Sequence, residues 1–544
     1  MRKIFLAITV VAMLLGMASC KKEDATNGLS FKATAERSKD DEKLSLGNGS
    51  MLWNSGDSIR IYDNAGNCAN FVLSAGAGSA SGTFDRGSGA AIGAGPYKAV
   101  YPARFYTGSS EVTLPNMQRT MDGSLRELPM YATGSGNELQ FYNICGVVRF
   151  RLTASGVRVR GIVVTTNVAT NGAATISGSG ASTTIGTPNG TNTTTLLCET
   201  AQDITSGHDF YMYLPAGSYS TFDIKLLADD WSSCTKSART AITVQRGKIN
   251  TITLRSLTFA DPGVLPGEFS VANGRTVRFS MGNLQYIGSA ATPYWKFAEH
   301  QYDYLGTTTG QNSDRTDVDR DLFGWGTSGY HDAADIYNVN YQPYSTSKDT
   351  VNVTYNCWGY GPSTNMADCN LTGTSANYDW GVYNAIANGG NAAGLWRTPT
   401  SSEWDYLIYT RAASTVNGTT NARYVKAKVN GTNGVIFFPD NYAHPSDVAL
   451  PTDINTSGVV FTGGDYTASD WMAMEAAGAM FLPAAGQRTG TSVSAPGKDG
   501  FCLSSSCWYS LNSNFAFSVL FFNTYLSIYS NDKYIGRSVR LVRD

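Results

Sequence analysis

Gly536-Arg537-Ser538-Val539-Arg540-Leu541-Val542-Arg543-Asp544 is the stretch whose reading decides the fold. Val539 and Leu541 alternate with Ser538 and Arg540, the two-residue period of a half-buried strand. The pattern predicts a core strand of the last domain, not a loose tail. A strand locked into its own domain cannot be lent to a neighbouring molecule.

Working outward, the composition agrees with a β protein. Charged residues make up only 15% of the chain and glycine 57 of 544 residues, which suits short strands joined by polar turns. The length predicts about three domains. A formal charge of −2 provides no basic field for nucleic acid.

At the other end, Arg2 and Lys3 precede an apolar run from Ile4 to Met17. This is the pattern of a secretory signal, too short to span a bilayer as a helix. Met17-Ala18-Ser19-Cys20 resembles a bacterial lipobox, which implies a lipid on Cys20 and an outer-membrane lipoprotein. Lys21-Lys22-Glu23-Asp24 resembles the export tag of surface lipoproteins of the Bacteroides group.

The first strand-like piece of the exported chain is Leu29-Ser30-Phe31-Lys32-Ala33-Thr34-Ala35, and Arg37, Lys39 and Lys43 follow it. Ile59 and Ile61 then alternate with Ser58 and Arg60, and Tyr97–Tyr101 reads as a strand stopped by Pro102. A second segment starts near Phe141. There Val148, Phe150 and Leu152 alternate with Arg149 and Arg151, and later Phe222, Ile224 and Leu226 recur at period two. Without helical spacing, two β-sandwiches are predicted, over 21–140 and 141–257.

Several short motifs in these segments resemble the fimbrillin family of Bacteroides-type pilus proteins. They are Trp53-Asn54-Ser55-Gly56-Asp57-Ser58-Ile59, Tyr97-Lys98-Ala99-Val100-Tyr101-Pro102, Leu114-Pro115-Asn116-Met117-Gln118, Phe141-Tyr142-Asn143 and Arg246-Gly247-Lys248-Ile249. The resemblance implies a mainly β fold with two tandem transthyretin-like sandwiches. It also implies assembly with other pilin subunits by strand exchange, after a surface protease removes the N-terminal strand. Loss of an edge strand bares N–H and C=O groups above empty apolar pockets, which an incoming strand satisfies. Arg37 and Lys43 lie just after the first strand and are the candidate cleavage sites.

Two Pro-Gly steps between Asp261 and Glu268 predict a linker over 258–266. Beyond it, eight of the ten tryptophans occur. Short helices are predicted from Asp379 to Ile386 with Gly389-Gly390 as a C-cap, from the capping box Thr400-Ser401-Ser402-Glu403 onward, and over Asp470 to Ala477. Residues 267–544 thus read as an α+β domain. Asp321-Leu322-Phe323-Gly324-Trp325-Gly326, Trp396-Arg397-Thr398-Pro399 and Ala484-Ala485-Gly486-Gln487-Arg488 resemble a C-type-lectin-like domain of the Bacteroides group, related to the formylglycine-generating enzymes. In that fold the two ends of the domain pair as strands.

Candidate chemistry is sparse. Asp317, Asp319 and Asp321 suit a hard cation such as calcium, but Leu322 and Ser328 break an EF-hand loop. The Glu-Pro-Asn or Gln-Pro-Asp triplet that marks calcium-held sugar in this fold is absent. Cys357 with Cys369 is a sequence-close disulfide candidate in an oxidising compartment, and Cys502 and Cys507 read as a disulfide or as plain thiols. A pair spaced like Cys502 and Cys507 binds copper in the formylglycine-generating enzymes, but matching neighbours for a reactive thiolate are missing. Trp508, Tyr509, Tyr525 and Tyr529 lie in a loop-prone region and are candidates for stacking on a ligand such as a sugar.

The favoured expectation is a non-enzymatic fimbrial tip adhesin. It would accept a neighbour's strand at its front, offer none past Asp544, and present a lectin-like head to a glycan or a host or bacterial surface. The alternatives are a monomeric surface glycan-binding lipoprotein and a copper-dependent oxidase.

Overall fold

The computed structural model describes residues 29–36, 52–106, 108–306, 311–313, 315–331, 341–344, 370–510 and 513–544. Cys20, Arg37, Lys43, Cys357 and Cys369 lie outside them. Among the described residues no helix is long and apolar enough to cross a membrane.

The first nine strands are β1 Ser30–Ala35, β2 Ser58–Tyr62, β3 Cys68–Ala75, β4 Ser81–Gly89, β5 Tyr97–Tyr101, β6 Glu111–Leu114, β7 Met117–Thr120, β8 Met130–Gly134 and β9 Glu138–Asn143. Seven of them form a closed barrel in the order β1-β4-β3-β2-β5-β8-β9. Closure leaves no sheet edge in this unit. The predicted alternation explains the barrel: Phe31, Ala33, Ile59, Ile61, Phe71, Phe84 and Phe141 all face the core and are buried. β1 was expected to be an edge strand. It is instead the closing strand, antiparallel to β4 on one side and parallel to β9 on the other.

β6 and β7 leave the barrel. β6 pairs with Gly172–Ser177, and β7 runs parallel to Thr193–Asp203, completing a five-stranded sheet in the next unit. Facing it is a three-stranded sheet with Cys145–Thr153 between His208–Pro215 and Ile249–Arg255. The core between the two holds Val148, Phe150, Ile162, Leu196, Phe210 and Leu226. Gln118 ties the sheets together: its amide donates to Tyr213 O at 2.7 Å and accepts from Tyr213 N at 3.1 Å, as a strand neighbour would. β9 runs across residues 140 and 141, so the two units do not divide at that point in the chain.

The Pro-Gly stretch is not a free tether. Ala260 bridges Ser233, Gly263 N donates to Asp230 O at 2.7 Å, and Val264 and Leu265 are buried. Turn residues let the chain bend there, while the two apolar side chains pin it. Leu227 and Trp231 of the second unit belong to the same core as Leu265, Phe269 and Phe279 of the third. Arg119 on β7 crosses the same junction. It donates to Ser469 O at 2.9 Å and to Ser469 Oγ at 2.6 Å, and it pairs with Asp447.

In the C-terminal unit the capping box forms as read: Thr400 Oγ1 accepts from Glu403 N at 3.2 Å, and Glu403 accepts from Thr400 N at 2.8 Å. The helix Ala468–Ala476 starts from a second box at Thr467. The helix expected over Asp379 to Ile386 is only Trp380–Tyr383. Asn384 turns its side-chain amide to Ser328 O at 2.9 Å, and Ile386 joins a bridge to Trp295.

The final stretch is fully built in. Val542–Arg543 pairs with Arg275–Phe279 near the start of the unit, and Val542 also bridges Arg397. Val539 and Leu541 are buried as expected. Ser538 and Arg540 were expected on a solvent face, yet both are buried as well. Backbone bonds explain this: Ser280 N and Leu284 N donate to Leu541 O and Val539 O, while Leu503 N donates to Ser538 O. The segment is covered on both faces, so the two-residue alternation does not mark an outside.

Candidate functional site

β1 is the element with the clearest functional geometry. Phe31 meets Phe71 and Tyr97 edge-on, with ring centroids 5.0 and 5.1 Å away. Ala33 and Ala35 fill smaller positions beside it. Trp53 plugs the barrel next to this strand. Its Nε1 donates to Ala33 O at 3.2 Å and to Ala80 O at 3.1 Å, and its ring packs edge-on against Phe84, Tyr101 and Phe141. Gly82, opposite Ala33, has no room for a side chain: a Cβ would come 2.5 Å from Leu73 Cδ1 and 3.1 Å from Trp53 Cδ1. Asp57 of the same motif accepts from Tyr101 Oη at 2.9 Å, and burial holds its carboxyl above the usual range.

On the outside, Lys32 and Thr34 line a groove of about 510 Å³ with Ser81, Thr83, Glu138 and Gln140. Lys32 pairs with Glu138 at 3.2 Å in the open, a contact of small energetic weight. Just past the strand, Glu36 accepts from Arg246 Nη1 at 2.8 Å and from Asn143 N at 2.9 Å. A second cleft, of about 940 Å³, opens where the barrel, β7 and the C-terminal unit meet. Within it, Arg104 pairs with Glu127 and Arg119 with Asp447.

The carboxylates read as a cation site do not converge. Asp317 is exposed and held by Arg315 through bonds of 3.0 and 2.6 Å, which lower its pKa. Asp319 accepts from Ser289 Oγ at 2.8 Å. Asp321 is buried, which raises its pKa, and accepts from Asn312 Nδ2 and Leu305 N, both at 2.7 Å. Each carboxylate is held by a different partner. Among the described residues no three His, Cys, Asp or Glu side chains are placed to hold a metal.

The cysteine pair is also corrected. Cys502 is a free, buried thiol whose pKa burial pushes up to about 12. Cys507 is disulfide-bonded, with its partner outside the described residues. Both lie on the strand Gly500–Ser510, where Cys502 opposes Val519 and Cys507 opposes Ala516. Val519 and Ala516 are an odd number of residues apart, so the two sulfurs point to opposite faces. They can neither bridge one another nor share a copper ion.

The aromatic candidates split in the same way. Trp508 opposes Phe515, whereas Tyr525 and Tyr529 oppose Phe522 and Ser518. Trp508 is 50% exposed on one face, while Tyr525 at 39% and Tyr529 at 57% share the other. Tyr525 stacks on Phe522 at 5.3 Å, making an aromatic ledge at the hairpin end. Nothing brings Trp508 to that ledge. The side chain of Tyr509 lies outside those described.

Glu36 and the β1-facing role of Trp53 were not read from sequence. The signals were present but mute: a carboxylate one residue past an alternating strand, and a tryptophan inside a motif.

No protein-family model matches the chain, and no curated protein does. Solved structures do. A Bacteroides uniformis protein put forward as a cell adhesion protein is 17% identical and covers 44% of this chain and 97% of its own, with a TM-score of 0.27. A Bacteroides ovatus protein put forward for the same role is 11% identical over 44% of this chain and 97% of its own, at a TM-score of 0.28. A fimbrial protein from Bacteroides ovatus is 12% identical and covers 95% of this chain and 99% of its own, at a TM-score of 0.23. At these TM-scores the likeness carries nothing further.

Proposed function

We propose that this chain is a non-catalytic adhesive subunit of a surface fibre, joined to its neighbour by replacement of β1. The observation that carries the reading is the closing position of β1. Its inward side chains are one Phe and two Ala, and its outer contacts are weak. Removing it leaves two unpaired ladders, on β4 and β9, above an apolar trough floored by Phe71, Tyr97 and Trp53. Backbone pairing and pocket filling by a foreign strand satisfy both. Export as a Cys20-lipidated precursor to the outer membrane, and cleavage at Arg37 or Lys43, precede that step in this reading.

The transthyretin-like and C-type-lectin-like assignments belong to the same proposal. The second unit and the C-terminal unit share one core, which suits a head held at a fixed angle. Residues 536–544 are engaged within that head and are not free to serve a neighbour. The ledge at Phe522, Tyr525 and Tyr529 is the face we assign to ligand contact.

A staple tests the assembly step. Thr34 and Ser81 are directly opposed, with their hydroxyls 3.1 Å apart on the outer face. A Thr34→Cys, Ser81→Cys protein is expected to close a disulfide across β1 and β4. Oxidised, it should stay out of fibres; reduced, it should enter them as the parent does. Equal incorporation of both forms, measured on denaturing gels of sheared surface fibres, contradicts the reading.

A further inference from the structure

We infer that Arg246 selects the incoming strand, accepting one that carries a carboxylate immediately after its third inward residue. The inference rests on the strand-replacement reading above and names the chemistry of the partner. In the intact chain that position is Glu36, following Phe31, Ala33 and Ala35. Arg246 Nη1 and Nη2 reach the two Glu36 oxygens at 2.8 and 3.2 Å, a bidentate pair. Arg246 also donates to Asn143 O at 2.7 Å and to Ala181 O at 3.0 Å, so its guanidinium is fixed before any partner arrives. The two side chains are only 19% and 18% exposed.

When β1 departs, Glu36 departs with it. The guanidinium loses the carboxylate opposite it, and Asn143 N, which donates to Glu36 at 2.9 Å, loses its acceptor too. A neutral side chain returns at best one oxygen to these donors. A carboxylate returns two, with charge.

The pin also sets register. A one-residue slip turns the inward residues outward and is rejected by the core. A two-residue slip keeps the alternation but moves every side chain by about 7 Å. The carboxylate then misses Arg246. The partner is therefore a β-strand with inward residues large, small and small, and then Asp or Glu.

The test uses the full chain, clipped between β1 and β2 by trypsin, with β1 left in place. Two labelled, C-terminally amidated peptides spanning residues 29–44 compete for the site: the native sequence and its Glu36→Gln variant. The protein itself is unaltered, so folding is not in question. The native peptide is expected to displace β1, and the variant to bind about tenfold more weakly. That gap should narrow as sodium chloride is raised, because it is ionic. Equal binding of both peptides overturns the role of Arg246 and leaves strand replacement standing. Failure of the native peptide to enter at all overturns strand replacement, and the inference with it.

Discussion

Replacing Arg540 by alanine is expected to unfasten the C-terminal stretch and lower the stability of the head by about 3–5 kcal/mol. The side chain is fully buried and donates to Asn283 Oδ1 at 3.0 Å, to Ser280 O at 2.8 Å and to Phe481 O. These acceptors come from two segments far apart in the sequence, 280–283 and 481, so one guanidinium joins the start of the unit to a central strand. Burial pushes the Arg540 pKa down to about 10, and among the described residues no carboxylate forms an ion pair with it. Losing it therefore orphans acceptors and opens a void, but it also removes a desolvated charge. Arg540→Met, which keeps much of the volume without the charge, is expected to cost less. For a unit of this size the alanine variant should melt on the order of 10 °C lower. An unchanged melting temperature of the head shows that the terminal strand is held by something else.

The second large effect is at Trp53. Trp53→Ala removes a buried ring from the middle of an aromatic cluster and should destabilise the barrel by about 3–5 kcal/mol. Its more specific consequence concerns β1, since the indole N–H holds Ala33 O. Trp53→Phe keeps most of the packing and loses the shared N–H bond to Ala33 O and Ala80 O, at a cost of about 1 kcal/mol. Amide hydrogen exchange should then quicken over residues 30–35 more than over β2, β3 or β5. If β1 keeps its protection in the Phe variant, Trp53 is a core residue with no special hold on the closing strand.

How far the sequence is legible depends on what lies on the second face of each element. β1 reads correctly from Leu29 to Ala35 because one side faces the core and the other faces water. The terminal segment misleads at Ser538 and Arg540. There both faces are covered, and a buried arginine that bonds backbone carbonyls looks, as a letter, like a solvent residue. The first unit reads as a sandwich because local alternation is the same in a sandwich and a barrel; the pairing of β1 with β9, about 100 residues away, closes it. The split of the aromatic candidates and the separation of Cys502 from Cys507 have a shared reason. Their faces are set by the register of a hairpin and by a bulge between Leu503 and Cys507, and neither is visible in spacing alone. At the Asp cluster, Arg315, Ser289 and Asn312 each take one carboxylate, which spacing alone does not show.

These points bear on function through one element. The C-terminal unit is bonded to the second unit through a continuous core and through Arg119, and the second unit shares the barrel core that β1 closes. What happens to β1 during assembly therefore decides the account. Peptide mapping by mass spectrometry of this protein, recovered from sheared surface fibres, tests it most directly. The account predicts that peptides containing residues 30–35 are missing from the fibre-bound form and present in the cell-associated precursor. Full recovery of residues 30–35, still joined to residue 52 and beyond in the fibre-bound form, would contradict it.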